Sequence, residues 1–222
     1  MNKKFSKSIL CFMLFLLMLN YIFVEKIMAD ATKPYLSSIV LFGMPPVKEI
    51  KKNKNMKSDK CFQKYLKAIP PESHLFSVGG PSGLKDALNY RRRNLEEQIV
   101  VIMGEKTREE ARSFSQSVPL CIEWEGMSEG PLDEANFVDN WLQKRPDSSI
   151  APFLYLFKAH RLRAGYEAAR ACYEKDLWPV LAVKYKETLN KIMGSGNPLI
   201  LCIGRSLEVQ SYVYLEGYGR PR

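Results

Sequence analysis

The sequence is poor in the groups that most enzymes rely on. Histidine occurs only at His74 and His160 among 222 residues. No HExxH pair, GxSxG elbow, paired CxxC or Lys-bearing phosphate loop is present, and "GSGNP" at 194–198 is a turn with no lysine after it. These absences remove zinc proteases, α/β-hydrolases, thioredoxin-like redox enzymes and P-loop nucleotide enzymes from consideration. No cysteine or histidine spacing suits a structural zinc, so neither a metal nor a cofactor is expected. There is also no apolar run of the roughly twenty residues a spanning helix needs; the longest covers residues 9–24 and is broken only by Asn20.

That run sits in a recognisable frame. Lys3, Lys4 and Lys7 precede it, and "EKIMA" follows, with small Ala29 before the expected cleavage point. This is the layout of a secretory signal peptide, and retention as an uncleaved membrane anchor is the alternative. Either outcome exports the rest of the chain, to the periplasm or to a membrane-anchored position facing the periplasm or exterior. Loss of residues 1–29 removes four basic residues and one acid, so the net charge falls from +9 to +6. A mildly basic exported protein is attracted to anionic envelope surfaces, and nucleic acid is not an expected partner. Cys61, Cys121, Cys172 and Cys202 remain. In an oxidising compartment they allow two disulfides in three pairings, or serve as small buried hydrophobes.

Residues 30–57 read as an extended basic arm. A short apolar stretch at 35–42 stops at "GMPP", and "VKEIKKNKNMKSDK" then carries six lysines without apolar periodicity. From residue 58 to 222 the pattern is helical. Cys61, Phe62, Tyr65, Leu66 and Ile69 share one face, and Pro70 ends that helix. Leu84, Leu88, Leu95, Ile99 and Ile102 mark a long second helix ending at Gly104, with Arg91, Arg92 and Arg93 fanned around its middle. "TREE" at 107–110 is a capping box, with Thr107 expected to cap the Glu110 amide. "EGPLDE" opens another helix, with Asp133 and Glu134 placed for its dipole and Leu132, Ala135, Val138, Trp141 and Leu142 as its buried stripe.

"WLQKRPDSSIAPFLYLFKAHRLRAGYEAAR" (141–170) closes that helix at Pro146 and starts the next, expected over about 149–174. Apolar residues all round its first half predict a central, buried helix. Ala164, Gly165, Ala168 and Ala169 predict a closely packed neighbour. A further helix begins near Pro179 and ends at Gly194; Asn197 and Pro198 then cap and open the last one. The aromatic, Gly-rich "SYVYLEGYGRPR" reads as an extended tail. The expected fold is mainly α, a bundle or short stack of antiparallel helical hairpins with an extended arm and an extended tail.

Residues 133–175 resemble tetratricopeptide-like helical hairpins of exported bacterial proteins. A helix closing in Pro-Asp-Ser is followed by an Ala- and Leu-rich one, and Gly165, Tyr166, Glu167 and Ala169 echo the step that introduces the next repeat. The resemblance implies paired helices used to bind proteins or peptides.

Two places are candidates for chemistry or binding. In "CIEWEG", Glu123 and Glu125 flank Trp124, a carboxylate pair beside an aromatic platform if the segment is a strand. In "KAHRLR", His160 and Arg163 share a helix face, while Arg161 is turned about 100° away. Glu167, four residues beyond Arg163, is its expected ion-pair partner. A polar network clamping helices together is the favoured reading of this second group. The expected function is that of an exported helical interaction protein that binds a protein, peptide or anionic envelope component. The alternative is a hydrolase-like enzyme using Glu123 or Glu125 with His160.

Overall fold

Helix boundaries fall where caps and breakers place them. The computed structural model describes residues 59–71, 73, 75, 84–120 and 127–217, all within one compact unit. The expected signal segment, the basic arm up to residue 58, His74 and the Cys121–Gly126 stretch lie outside the described residues. The described residues contain seven α-helices and no strand.

Helix α1, Lys60–Ala68, is opened by Asp59, whose carboxylate accepts from the amides of Cys61 and Phe62 at 2.8 and 3.2 Å. It ends at Ile69, which is extended as a residue before proline must be. Helix α2, Leu84–Met103, ends at Gly104 with φ +96°, a value closed to most side chains. A 3-10 turn over Glu105–Thr107 leads into α3, Arg108–Ser117. The expected capping box does not form there. Thr107 is itself helical, and its hydroxyl donates to the Gly104 carbonyl at 2.8 Å instead. Glu110 is drawn elsewhere, as described below.

Helix α4, Glu129–Lys144, and the central α5, Ala151–Ala171, are joined by a short turn through Pro146. Helix α5 stops three residues earlier than the sequence pattern implies. Tyr173 adopts φ +60°, and the Glu174 and Tyr173 amides donate back to Ala169 and Arg170 carbonyls at 2.8 and 3.3 Å. This is a Schellman ending built without glycine. Helix α6, Leu177–Met193, follows, tied back by Trp178, whose indole N–H donates to the Ala169 carbonyl at 3.1 Å.

Helix α7, Pro198–Gly217, has the expected cap: Asn197 Oδ1 accepts from the Leu199 and Ile200 amides at 2.9 and 3.3 Å. The same Asn197 donates through Nδ2 to the Ile102 carbonyl at 2.9 Å, linking α7 to the end of α2. The tail expected to be extended from Ser211 is helical as far as Gly217. Nothing between Ser211 and Glu216 breaks a helix; the first breakers are Gly217 and Gly219.

Helix α5 is the hub, packed against α4 on one side and α6 on the other, with α7 and α2 completing its surroundings. Phe153, Leu154, Leu156, Phe157 and Ala159 have no exposed surface. Phe157 meets Phe114 of α3 edge-on at 5.9 Å, and Phe114 meets Trp141 of α4 likewise at 5.2 Å. The chain is unbroken through Gly165, where an added Cβ would lie 2.6 Å from Leu132 Cδ2. The small-residue stretch thus admits a close neighbour as its composition predicts, but at Gly165 that neighbour is α4 rather than the following helix the sequence pointed to. Cys61 and Cys202 form a disulfide that fastens α1 to α7, with Cα atoms 5.7 Å apart. Of the other three cysteines, Cys172 is exposed after α5, and Cys11 and Cys121 lie outside the described residues.

Candidate functional site: a buried arginine, glutamate and histidine cluster

Charged residues are seldom fully buried unless paired, yet several converge on α5. Glu134 of α4 is 1% exposed, and His160, Arg161 and Arg163 of α5 are 1, 3 and 7% exposed. Arg91 of α2 donates both terminal nitrogens to the two Glu134 carboxylate oxygens, each at 2.9 Å. Such a bidentate fork fixes orientation as well as charge. Arg161 Nη1 stands 3.6 Å from the same Glu134 carboxylate. One acid therefore bridges cations from two other helices.

The rest of the cluster continues along α5. Arg161 Nη2 donates to His160 Nδ1, which makes that nitrogen the acceptor and places the imidazole proton on Nε2. Arg163 Nε lies 3.4 Å from Glu167 Oε1, the ion pair expected from their spacing. The 100° between Arg161 and His160 is bridged by the length of the arginine side chain, so the two residues belong to one network.

The electrostatics follow from burial and sign. Burial holds His160 well below its ordinary range, and Arg161, Arg163 and Arg91 add to that depression. It is neutral at physiological pH and a weak base. Burial pulls Arg161 down to about 10 against the opposing pull of Glu134. Glu167 is raised by burial, with Arg163 and Arg161 pulling the other way. Chemically, the group is suited to locking α2, α4 and α5 in register.

Smaller clasps do similar work at the periphery. Arg92 reaches the carbonyls of Ser115, Gln116 and Val118, where α3 leaves its last acceptors bare. Glu110 accepts from the hydroxyls of Ser148 and Ser149 at 2.6 Å each, from the Ser149 amide at 3.0 Å and from Trp141 Nε1 at 3.5 Å. Burial raises its carboxyl, but these donors outweigh that and hold it below the ordinary range. Glu110 thereby anchors the α4–α5 turn rather than capping its own helix.

Of the candidate residues, His160, Arg161 and Arg163 are brought together in the interior, while Glu123, Trp124 and Glu125 lie outside the described residues. Arg91 and Glu134 were not singled out as partners from the sequence, although their spacing held the signal. Glu134 is four and seven residues before Val138 and Trp141, and Arg91 lies between Leu88 and Leu95 on one face. Among the described residues no three His, Cys, Asp or Glu side chains converge as metal ligands, and no helix is long and apolar enough to cross a membrane. The chain matches no family model, no curated protein and no solved structure.

Proposed function

We propose that this is an exported helical interaction protein whose helices form a rigid body for contact with a protein or peptide partner. The observation that carries the reading is the use made of the α5 polar residues. Glu134 occupies Arg91 and Arg161, and His160 is sealed at 1% exposure and kept neutral by that burial and by the cations around it. The groups best suited to catalysis in the sequence thus serve helix packing, which weighs against the hydrolase-like alternative. Contact then falls to the surface, where Tyr173, Val180 and Val183 are exposed by 72, 49 and 56%. The hairpin of α4 and α5 is the part that resembles tetratricopeptide-like pairs, and a cross-linking disulfide suits an oxidising compartment.

The test combines cell fractionation, sequencing of the exported N-terminus and a photo-crosslinker placed in turn at Tyr173, Val180 and Val183. A defined adduct in the exported fraction, absent when the crosslinker replaces buried Phe157, is the expected result. Recovery of the protein in the cytosol with an intact N-terminus and no adduct at any position would refute the reading.

A further inference from the structure

The positive charge of this protein is concentrated in one place. Residues 47–67 hold eight lysines against only Glu49 and Asp59, a net +6. The remainder of the chain from residue 30 onward holds 21 basic and 21 acidic residues and is neutral. The basic character expected of the exported protein is therefore local.

The structure shows where this segment joins the folded domain. On α1, Lys60, Lys64 and Lys67 are exposed and follow one another at four- and three-residue spacing, within about 60° of arc. None of the three forms an ion pair among the described residues. Several cations elsewhere are matched: Arg91 with Glu134, Arg108 with Glu97 and Glu105, Arg112 with Glu96 and Lys158 with Asp139. The opposite face of α1 is committed to the interior, with Phe62 and Tyr65 at 0% exposure and Cys61 bonded to Cys202. The helix can neither roll its apolar side outward nor leave the domain while that bond holds.

We infer that the lysine face of α1, formed by Lys60, Lys64 and Lys67, docks on the anionic headgroups of a phospholipid surface. This deepens the reading of an exported interaction protein and rests on it. The composition favours a lipid surface over nucleic acid. All eight cations are lysines, which act as point charges and lack the arginine fork used for base and phosphate recognition. The aromatic rings of α1 are buried, so none is offered for stacking on bases. Lysine clusters of this size are drawn to anionic bilayers through long-range attraction alone. Because the apolar side of α1 is turned inward, the contact is electrostatic and does not involve insertion.

The protein, in whichever N-terminal form the cell exports, is floated with vesicles of equal parts phosphatidylglycerol and phosphatidylcholine, and with phosphatidylcholine alone. The ratio of the two binding constants is the readout, so any contribution of residues 9–24 cancels. At about 0.1 M salt the ratio is expected to be large, and at about 0.5 M it collapses towards one, as charges are screened over a few ångströms. Lys60, Lys64 and Lys67 together changed to Gln lower the ratio by about a hundredfold, at roughly fivefold for each lysine. Removal of the same charge from exposed Lys175, Lys184 and Lys186 changes it by less than about fivefold. Equal ratios for the wild type and the α1 variant overturn the inference. So does anion-selective binding that survives high salt, or single-stranded DNA held more tightly than the anionic vesicles. A ratio near one alongside a specific photo-crosslinked partner rejects this inference and leaves the proposed function standing.

Discussion

Replacing Glu134 by Gln tests whether the α5 cluster is held by charge. The amide keeps the shape of the carboxylate and one acceptor oxygen, so packing is preserved and the negative charge is lost. Glu134 faces Arg91 at 2.9 Å and Arg161 at 3.6 Å. At an effective dielectric of about 20, each contact is worth on the order of 5 kcal/mol of attraction before desolvation is charged against it. Much of that only offsets the cost of burying the three ions. After the substitution the offset is gone and a buried Arg161 and a partly buried Arg91 face each other, a situation that costs about 3–5 kcal/mol. Urea unfolding of the oxidised protein, followed by circular dichroism, should show a loss of that size. Neutralising all three, as Arg91→Met, Glu134→Leu and Arg161→Met, should return the protein to within about 2 kcal/mol of wild type, since no uncompensated ion remains. A loss below about 1 kcal/mol for Glu134→Gln, or a triple variant no better than the single one, would refute the argument.

Four further outcomes are expected. Changing Cys61 and Cys202 to Ser opens a loop closed across 141 residues of sequence and should cost about 5 kcal/mol; a urea midpoint unchanged by the pair of substitutions would contradict this. His160 has a folded-state pKa below its unfolded value of about 6.5, so its contribution to stability is complete above that pH and is lost as the pH falls. Between about pH 6.5 and 5.5 the wild type should lose about 1 kcal/mol more than His160→Gln, and parallel pH profiles would show that the imidazole is not buried. Gly165→Ala should destabilise by about 1–2 kcal/mol through collision with Leu132, and Leu132→Val should relieve part of that; additive costs would place the collision elsewhere. Tyr173→Gly should stabilise by about 1 kcal/mol by removing a side chain from the left-handed region, and a lowered melting temperature would mean that Tyr173 makes compensating contacts.

What could be read from the sequence was what depends on near neighbours. Apolar spacing, together with prolines, Gly104 and the Asn197 cap, located the helices because each acts within a turn or two of chain. The buried character of α5 was visible for the same reason, and so was the Arg163–Glu167 pair, four residues apart. The failures share a different cause. Glu110 and Glu134 were assigned to the starts of their own helices, where local rules put acids to use. Each instead answers groups 27 to 43 residues away in sequence, a choice decided only when the helices meet. The α5 terminus was missed because Tyr173 stands where a glycine is the usual signal. One disulfide pairing out of three could not be chosen from spacing, because it depends on α1 and α7 being neighbours.

The bond between Cys61 and Cys202 also determines how the protein bears a pull. A tension applied between the chain before α1 and the chain beyond α7 enters at one sulfur and leaves at the other. The intervening helices are bypassed, and roughly 480 Å of chain that the 141-residue separation would otherwise release stays stored. Between residues 61 and 202 an oxidised molecule drawn from its two ends would therefore behave as a short, nearly inextensible link, and only the part of α7 beyond Cys202 would be open to the load. The reduced molecule would unravel helix by helix under the same load.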